Sequence, residues 1–127
     1  MTIQGLSFIN KKFSETEIPY SFGEWSGEVV YPYFVGEYTE TEPLYEYGES
    51  ESTFMLTGTS RSSSAVLELE RYKEKIMKMF PATGATELFP DGNGIAVMYS
   101  DSSYIPTGTG DLRRIQINLK IKEWRVE

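Results

Sequence analysis

The sequence has neither cysteine nor histidine in its 127 residues. The missing thiols remove the secreted, disulfide-stapled class and leave the redox compartment unread. Together the two absences exclude a thiolate or imidazole zinc site, a Ser-His-Asp triad and a Cys-His pair. Catalysis would have to rest on Asp, Glu, Lys, Tyr or Ser alone, so the expectation is a protein that is not an enzyme and holds no cofactor. Long apolar runs are also lacking. No stretch approaches the ~20 residues that span a bilayer, and Met1 to Lys12 lacks the basic-then-apolar order of an export signal. The expectation is a soluble protein made in the cytoplasm, with no membrane partner. The length fits a single domain, residues 1–127. It should bury about two-thirds of the surface its unfolded chain exposes, enough for a core without a metal or disulfide.

Positive charge is scarce where it would matter most. The net charge is −7. Glu37, Glu40, Glu42, Glu46, Glu49 and Glu51 fall in one fifteen-residue stretch that has no Lys or Arg, leaving the rest of the chain at only −1. A protein that grips duplex DNA needs a basic stripe to displace counterions from phosphates. Specific nucleic-acid binding is therefore not expected.

What is present reads as alternating strands and helices. Leu6, Ile9 and Phe13, with Phe8 nearby, predict a short helix over Gln4 to Phe13. Val29 to Val35 is a β-rich run interrupted by Pro32, which predicts an edge or bulged strand. A second strand is predicted over Ser52 to Thr57, making the acidic stretch a long hairpin arm. Ser60 to Ser64 offers hydroxyl N-caps to the clearest helix, about Ser64 to Phe80. There Ala65, Leu69, Tyr72, Ile76 and Met79 form an apolar stripe widened by Val66 and Phe80, with a favourable Glu74–Lys78 pair on the other side. Pro90 to Gly94 is a tight-turn signal before a strand over Ile95 to Tyr99, and Asp101 to Asp111 reads as a connector. The last strand places Ile115, Ile117, Leu119 and Ile121 on one face. Trp124 and Val126 then break phase, which predicts a bulge near Lys122–Glu123. The expected class is α+β in the order α-β-β-α-β-β. It predicts an antiparallel or mixed four-stranded sheet with helices packed on one face and a long acidic β-hairpin arm.

Three strings invite chemical readings. Asp91-Gly92-Asn93-Gly94 begins like a calcium loop, but Ile95 and Ser102 stand where ligands belong, and a tight turn is the better reading. Thr107 to Asp111 lacks the Gly-Lys-Ser/Thr ending and the following helix of a phosphate loop. Ser60-Arg61-Ser62-Ser63-Ser64 stands at a helix start where an anion can bind, yet capping accounts for the serines without a ligand. Six glutamates on one arm are poorly suited to paired-carboxylate catalysis, which needs two of them fixed about 5–9.5 Å apart. The arm's Tyr38, Tyr45 and Tyr47 are interface-type residues, so the arm reads as an interaction element as well as a solvated one. The cationic side of the last strand, Arg114, Lys120 and Lys122, is either the wet face of the sheet or the partner of a neighbour's arm. The latter would give a head-to-tail contact that closes into a ring.

Tyr31-Pro-Tyr-Phe-Val-Gly-Glu-Tyr38, Phe54-Met-Leu-Thr-Gly-Thr59 and Leu112-Arg-Arg-Ile-Gln-Ile-Asn-Leu-Lys-Ile-Lys-Glu-Trp124 resemble small proteins of tailed phages and prophages of Gram-positive bacteria. Length and element order are similar to the tail-terminator, or tail-completion, family of long-tailed phages. That resemblance implies a homo-oligomeric, hexameric ring in the virion. The ring would cap the tail tube and join it to head connector proteins while DNA passes through. It carries over no catalytic residue, and it does not extend to the first thirty residues. Two other readings stand beside it: another neck or minor capsid protein, and a small binding module or enzyme that uses the glutamates.

Overall fold

In the computed structural model, which describes residues 1–40 and 49–126, eight elements follow one another. They are α1 (Ile3–Ser14), β1 (Tyr20–Phe22), β2 (Tyr33–Glu40), β3 (Glu49–Arg61), α2 (Ala65–Met79), β4 (Ala85–Leu88), β5 (Gly94–Ile105) and β6 (Leu112–Trp124). The class is α+β, as expected, but the sheet has six strands rather than four, in the order β1-β2-β3-β6-β5-β4. β1 lies parallel to β2 and every other pairing is antiparallel, so the sheet is mixed. The two unforeseen strands are the edges. They have three and four residues, too few for a period of two to stand out from loop sequence.

One face of this sheet makes the core. β6 alternates without interruption: Ile115, Ile117, Leu119 and Ile121 are buried, while Arg114, Gln116, Asn118 and Lys120 point to the other face. Phe34 of β2, Phe54 and Leu56 of β3, and Ile95 and Val97 of β5 join the inward row. Both helices close over it. α1 brings Phe8, Ile9 and Phe13; α2 brings Leu69 and Ile76, followed by Phe80. Leu69 and Ile76 are fully buried, and each contributes roughly 1.5–3 kcal/mol relative to an exposed side chain. Among the described residues no helix packs on the opposite face.

Several expectations need correction. Val66 does not widen the stripe of α2: it is exposed, as are Leu67 and Met77. The ion pair on α2 is Glu70–Lys73, at 2.6 Å, rather than Glu74–Lys78. Val29 and Val30 are exposed and outside any strand, because β2 begins only after Pro32, which cannot donate to a ladder. β3 and β5 both outrun their predicted limits. Within β5 the pairing with β6 shifts between Tyr99 and Asp101, and the strand then continues to Ile105 through much of the supposed connector.

The bulge expected at Lys122–Glu123 is absent, since β6 pairs in continuous register with β3 from Arg113 to Trp124. The pattern breaks because Glu123 takes an inward position that a hydrophobic residue would normally fill. It is 2% exposed. Its carboxylate accepts the Thr2 amide at 3.1 and 3.2 Å and the Thr2 hydroxyl, at the N-terminus of α1. Thr2 in turn caps that helix by accepting the Gly5 amide at 2.9 Å. The orphan donors of a helix start are thus served by a buried acid.

Candidate interaction surface

The sheet face away from the helices gathers Glu37, Glu51, Arg114, Lys120 and Lys122, because directly opposed residues of paired strands share a face. One row crosses four strands as Glu37, Met55, Asn118 and Asp101. Asn118 donates to Asp101 at 2.7 Å and accepts from Gln116 at 3.1 Å. Lys122 lies opposite Glu51, with Nζ 3.8 Å from the carboxylate. Arg114 is half-buried and its Nε donates to Thr59 at 3.3 Å, while Lys120 is exposed. The acidic stretch and the cationic strand are therefore neighbours within one chain.

The hairpin's described residues divide between the two faces. Glu37 and Glu51 belong to the bare face; Glu40 lies on the helix side, where it pairs with the Met1 amino group. Tyr38 is partly buried and stacks on Phe22, centroids 6.1 Å apart, so it packs at the margin of the core. Glu49 pairs in register with Trp124. Glu42, Tyr45, Glu46 and Tyr47 lie outside the described residues. Strand pairing extends from Tyr33–Thr59 to Glu40–Ser52, so the sheet itself forms the root of the arm.

The three strings examined for chemistry have structural work. Asp91 accepts from the Asn93 amide at 3.0 Å and from Gln4 at 2.9 Å. Asn93 donates to Gln4 and accepts the Val126 amide at 2.9 Å, tying the β4–β5 turn to α1 and the end of the chain. The Thr107 hydroxyl hydrogen-bonds the carbonyls of Thr109 and Leu112 at 3.0 and 2.7 Å. Ser64 does not cap α2. Instead Ser60, Ser62 and Ser64 all donate to Glu68, at 2.8, 3.1 and 3.0 Å. These hydroxyls, Ser60 foremost, hold the Glu68 carboxyl below the usual range. They face an anion of the protein's own and are not arranged to receive another.

From sequence, Glu68, Arg71, Glu74, Lys75 and Lys78 read only as the polar side of α2. Arg71, Lys75 and Lys78 fall at i, i+4 and i+7, so they line up along one stripe of the helix. They border a groove of about 560 Å³ whose opposite wall is Tyr31 and Pro32. Lys75 Nζ sits 5.0 Å from the Tyr72 ring centroid, a cation–π distance. Nearby, Arg61 is tied to Asp111 at 2.8 Å and is held more firmly charged by Tyr31 first and Asp111 second. The spacing was legible, but a charged helix stripe is ordinarily a solvated one. Only the fold brings an aromatic wall against it.

Among the described residues no three acidic side chains come together to hold a metal ion, and no helix is long and apolar enough to cross a membrane. No family model matches this chain, and no curated protein does so. Solved structures do. One, of a protein that carries only a serial designation, superposes with a TM-score of 0.59 at 11% identity, covering 96% of this chain and 97% of the other. That likeness is one of fold.

Proposed function

We propose that the chain is a structural phage or prophage protein, a tail terminator or head–tail joining subunit that self-assembles into a ring. The ring ends the tail tube and meets the head connector. The observation that carries this reading is the acidic stretch rooted in a sheet whose second face, among the described residues, carries no helix. Glu40 pairs with Ser52 at the end of a continuous β2–β3 ladder, so Glu37, Glu40, Glu49 and Glu51 belong to the strands themselves and the segment carrying Glu42 and Glu46 joins them. A rigidly based charged arm serves recognition between subunits, where charge sets partner choice and register more than affinity. The same segment gives a ring lumen a surface that repels phosphates and lets duplex DNA slide. The phage-like strings from Tyr31 to Trp124 support the reading independently, since they coincide with β2, β3 and β6, the strands that build this surface.

Mass in solution, measured together with negative-stain images, tests the ring: a species near six subunits, alone or on tail tubes, is expected. A strictly monomeric chain without affinity for tube or connector proteins overturns it. Particles made without the gene separate the positions. Finished heads with overlong tubes mark a terminator, whereas leaking DNA-filled heads mark a neck component.

A further inference from the structure

We infer that Asn93 is a latent self-modification site, primed by its neighbour Gly94 and held unreacted by hydrogen bonds to Gln4, Asp91 and Val126. The inference stands apart from the ring-forming reading. An asparagine followed by glycine can cyclise. The Gly94 nitrogen bonds to Asn93 Cγ, the Cγ–Nδ2 bond breaks, and the amide proton departs with that nitrogen as ammonia. Water then opens the succinimide at either carbonyl, giving aspartate or isoaspartate at position 93. Glycine favours the step because it has no Cβ to hinder the approach and its backbone reaches conformations closed to other residues. No oxidant, reductant or cofactor enters the balance. The other two asparagines precede Lys11 and Leu119, so the reactive pair occurs once.

The fold occupies both reacting groups. Asn93 Nδ2 donates to Gln4 at 3.1 Å and to Asp91 at 3.3 Å, and Oδ1 accepts the Val126 amide at 2.9 Å. Gln4 completes the cluster by donating to Asp91 at 2.9 Å. Gly94, the nucleophile, is buried opposite Leu88 of β4 and Trp124 of β6. With a strand on either side, its N–H points into the ladder. Cyclisation therefore waits until the β4–β5 turn opens away from α1 and the end of the chain, a local event distinct from global unfolding. The products cannot restore the latch. Aspartate lacks the Nδ2 donor and sets a second carboxylate beside Asp91, a like-charge contact. Isoaspartate routes the main chain through its own methylene and throws Gly94 out of register with both neighbours. One reaction thus makes a reversible opening permanent: α1 is loosened at Gln4 while Glu123 still holds it at Thr2.

The experiment ages the folded full-length protein beside a synthetic peptide spanning Phe89 to Val97 in neutral buffer. Mass spectrometry of proteolytic fragments counts converted Asn93, and enzymatic methylation of isoaspartate separates the two products. Two variants join the wild type. Gln4→Ala with Val126→Pro unlatches the side chain, since proline has no N–H to donate. Gly58→Ala weakens the sheet away from the turn, where a Cβ would meet the Phe34 ring at 2.3 Å. If the unlatched variant lacks the circular dichroism of wild type, Gln4→Ala alone replaces it. Wild type should convert at least about 10-fold more slowly than the peptide, and the unlatched variant at least about 3-fold faster than wild type, because local opening sets the rate. Gly58→Ala should stay near wild type, and aged wild type should exchange the amides of Gly94 to Val97 faster than fresh protein. Conversion of wild type at the peptide's rate, or an unlatched variant no faster than wild type, overturns the inference. Equal acceleration by Gly58→Ala also overturns it, because global unfolding then governs the reaction. Unchanged exchange in the aged protein overturns the permanent opening.

Discussion

The carboxylate of Glu123, the last inward position of β6, lies against the backbone amide of Thr2, its two oxygens 3.1 and 3.2 Å from the nitrogen. Residues 121 positions apart are thereby fastened where α1 begins. Gly5 fits the same arrangement: a Cβ there would stand 2.6 Å from Glu123 Oε2 and 3.1 Å from Ile95 Cδ1.

Glu123→Ala should cost about 1–3 kcal/mol, because it leaves the Thr2 amide and hydroxyl facing a buried void. Glu123→Gln keeps an acceptor and should recover part of that loss. Thr2→Ala should cost about 0.5–2 kcal/mol through the lost cap. Urea unfolding measures all three, and a Glu123→Ala protein within 0.5 kcal/mol of wild type, on the roughly ±0.5 scale of neutral surface changes, would refute the assignment.

Gly58 is the second place where packing dictates the residue. Phe34 of β2 lies across it, and a Cβ would meet the ring at 2.3 Å. Phe34 is wholly buried, so the ring has no room to retreat. Gly58→Ala should lose roughly 1–3 kcal/mol to overpacking. Gly110→Ala is the control, since nothing lies within 4 Å of its Cβ position. Phe34→Leu in the Gly58→Ala background should restore part of the difference, and a simple sum of two losses would rule out the contact.

These two sites show what the sequence made legible. The stripe of α2 and the alternation of β6 were plain, because each repeats one physical instruction over a dozen residues. Glu123 defeated the reading: a polar residue at an inward position looks like a phase change until the partner helix is known. Val29 and Val30 misled in the opposite way, being β-formers left outside the ladder by Pro32. The charged arm could be located from composition, yet the pairing of Glu51 with Lys122 within one chain depends on β3 and β6 being neighbours, a fact of topology. The basic row on α2 was likewise visible as spacing and silent about its wall.

Tyrosine ionisation provides a test at alkaline pH. Burial, and then the hydrogen bond donated to Glu70 at 3.1 Å, pushes Tyr104 up to about 12. Burial raises Tyr20 further still; it stacks on Phe13 with centroids 4.2 Å apart and donates to Asn10. Both groups hold their protons more tightly in the folded chain. Their stabilisation is complete below the unfolded value near 10 and is lost as pH rises through the folded values. The folded protein should therefore show phenolate absorbance at 295 nm in two phases, with Tyr104 and Tyr20 in the late one. Tyr104→Phe should shrink the late phase and flatten the fall in stability between about pH 10 and 12. A single phase near the ordinary tyrosine value would contradict both environments.

The charges of the hairpin root should matter little to folding. Glu51 and Lys122 are 3.8 Å apart, with about a third or more of each side chain exposed, and such pairs couple by roughly 0.2–1 kcal/mol. A double-mutant cycle with Glu51→Gln and Lys122→Gln should return a value in that range that falls as salt screens the pair. Glu37 is exposed on the same face, and Glu37→Gln should stay within about 0.5 kcal/mol of wild type. If the arm exists for subunit recognition, these substitutions must change association far more than unfolding. Glutamates that prove worth several kcal/mol to the folded monomer, and nothing to self-association, would make the arm a device of the fold.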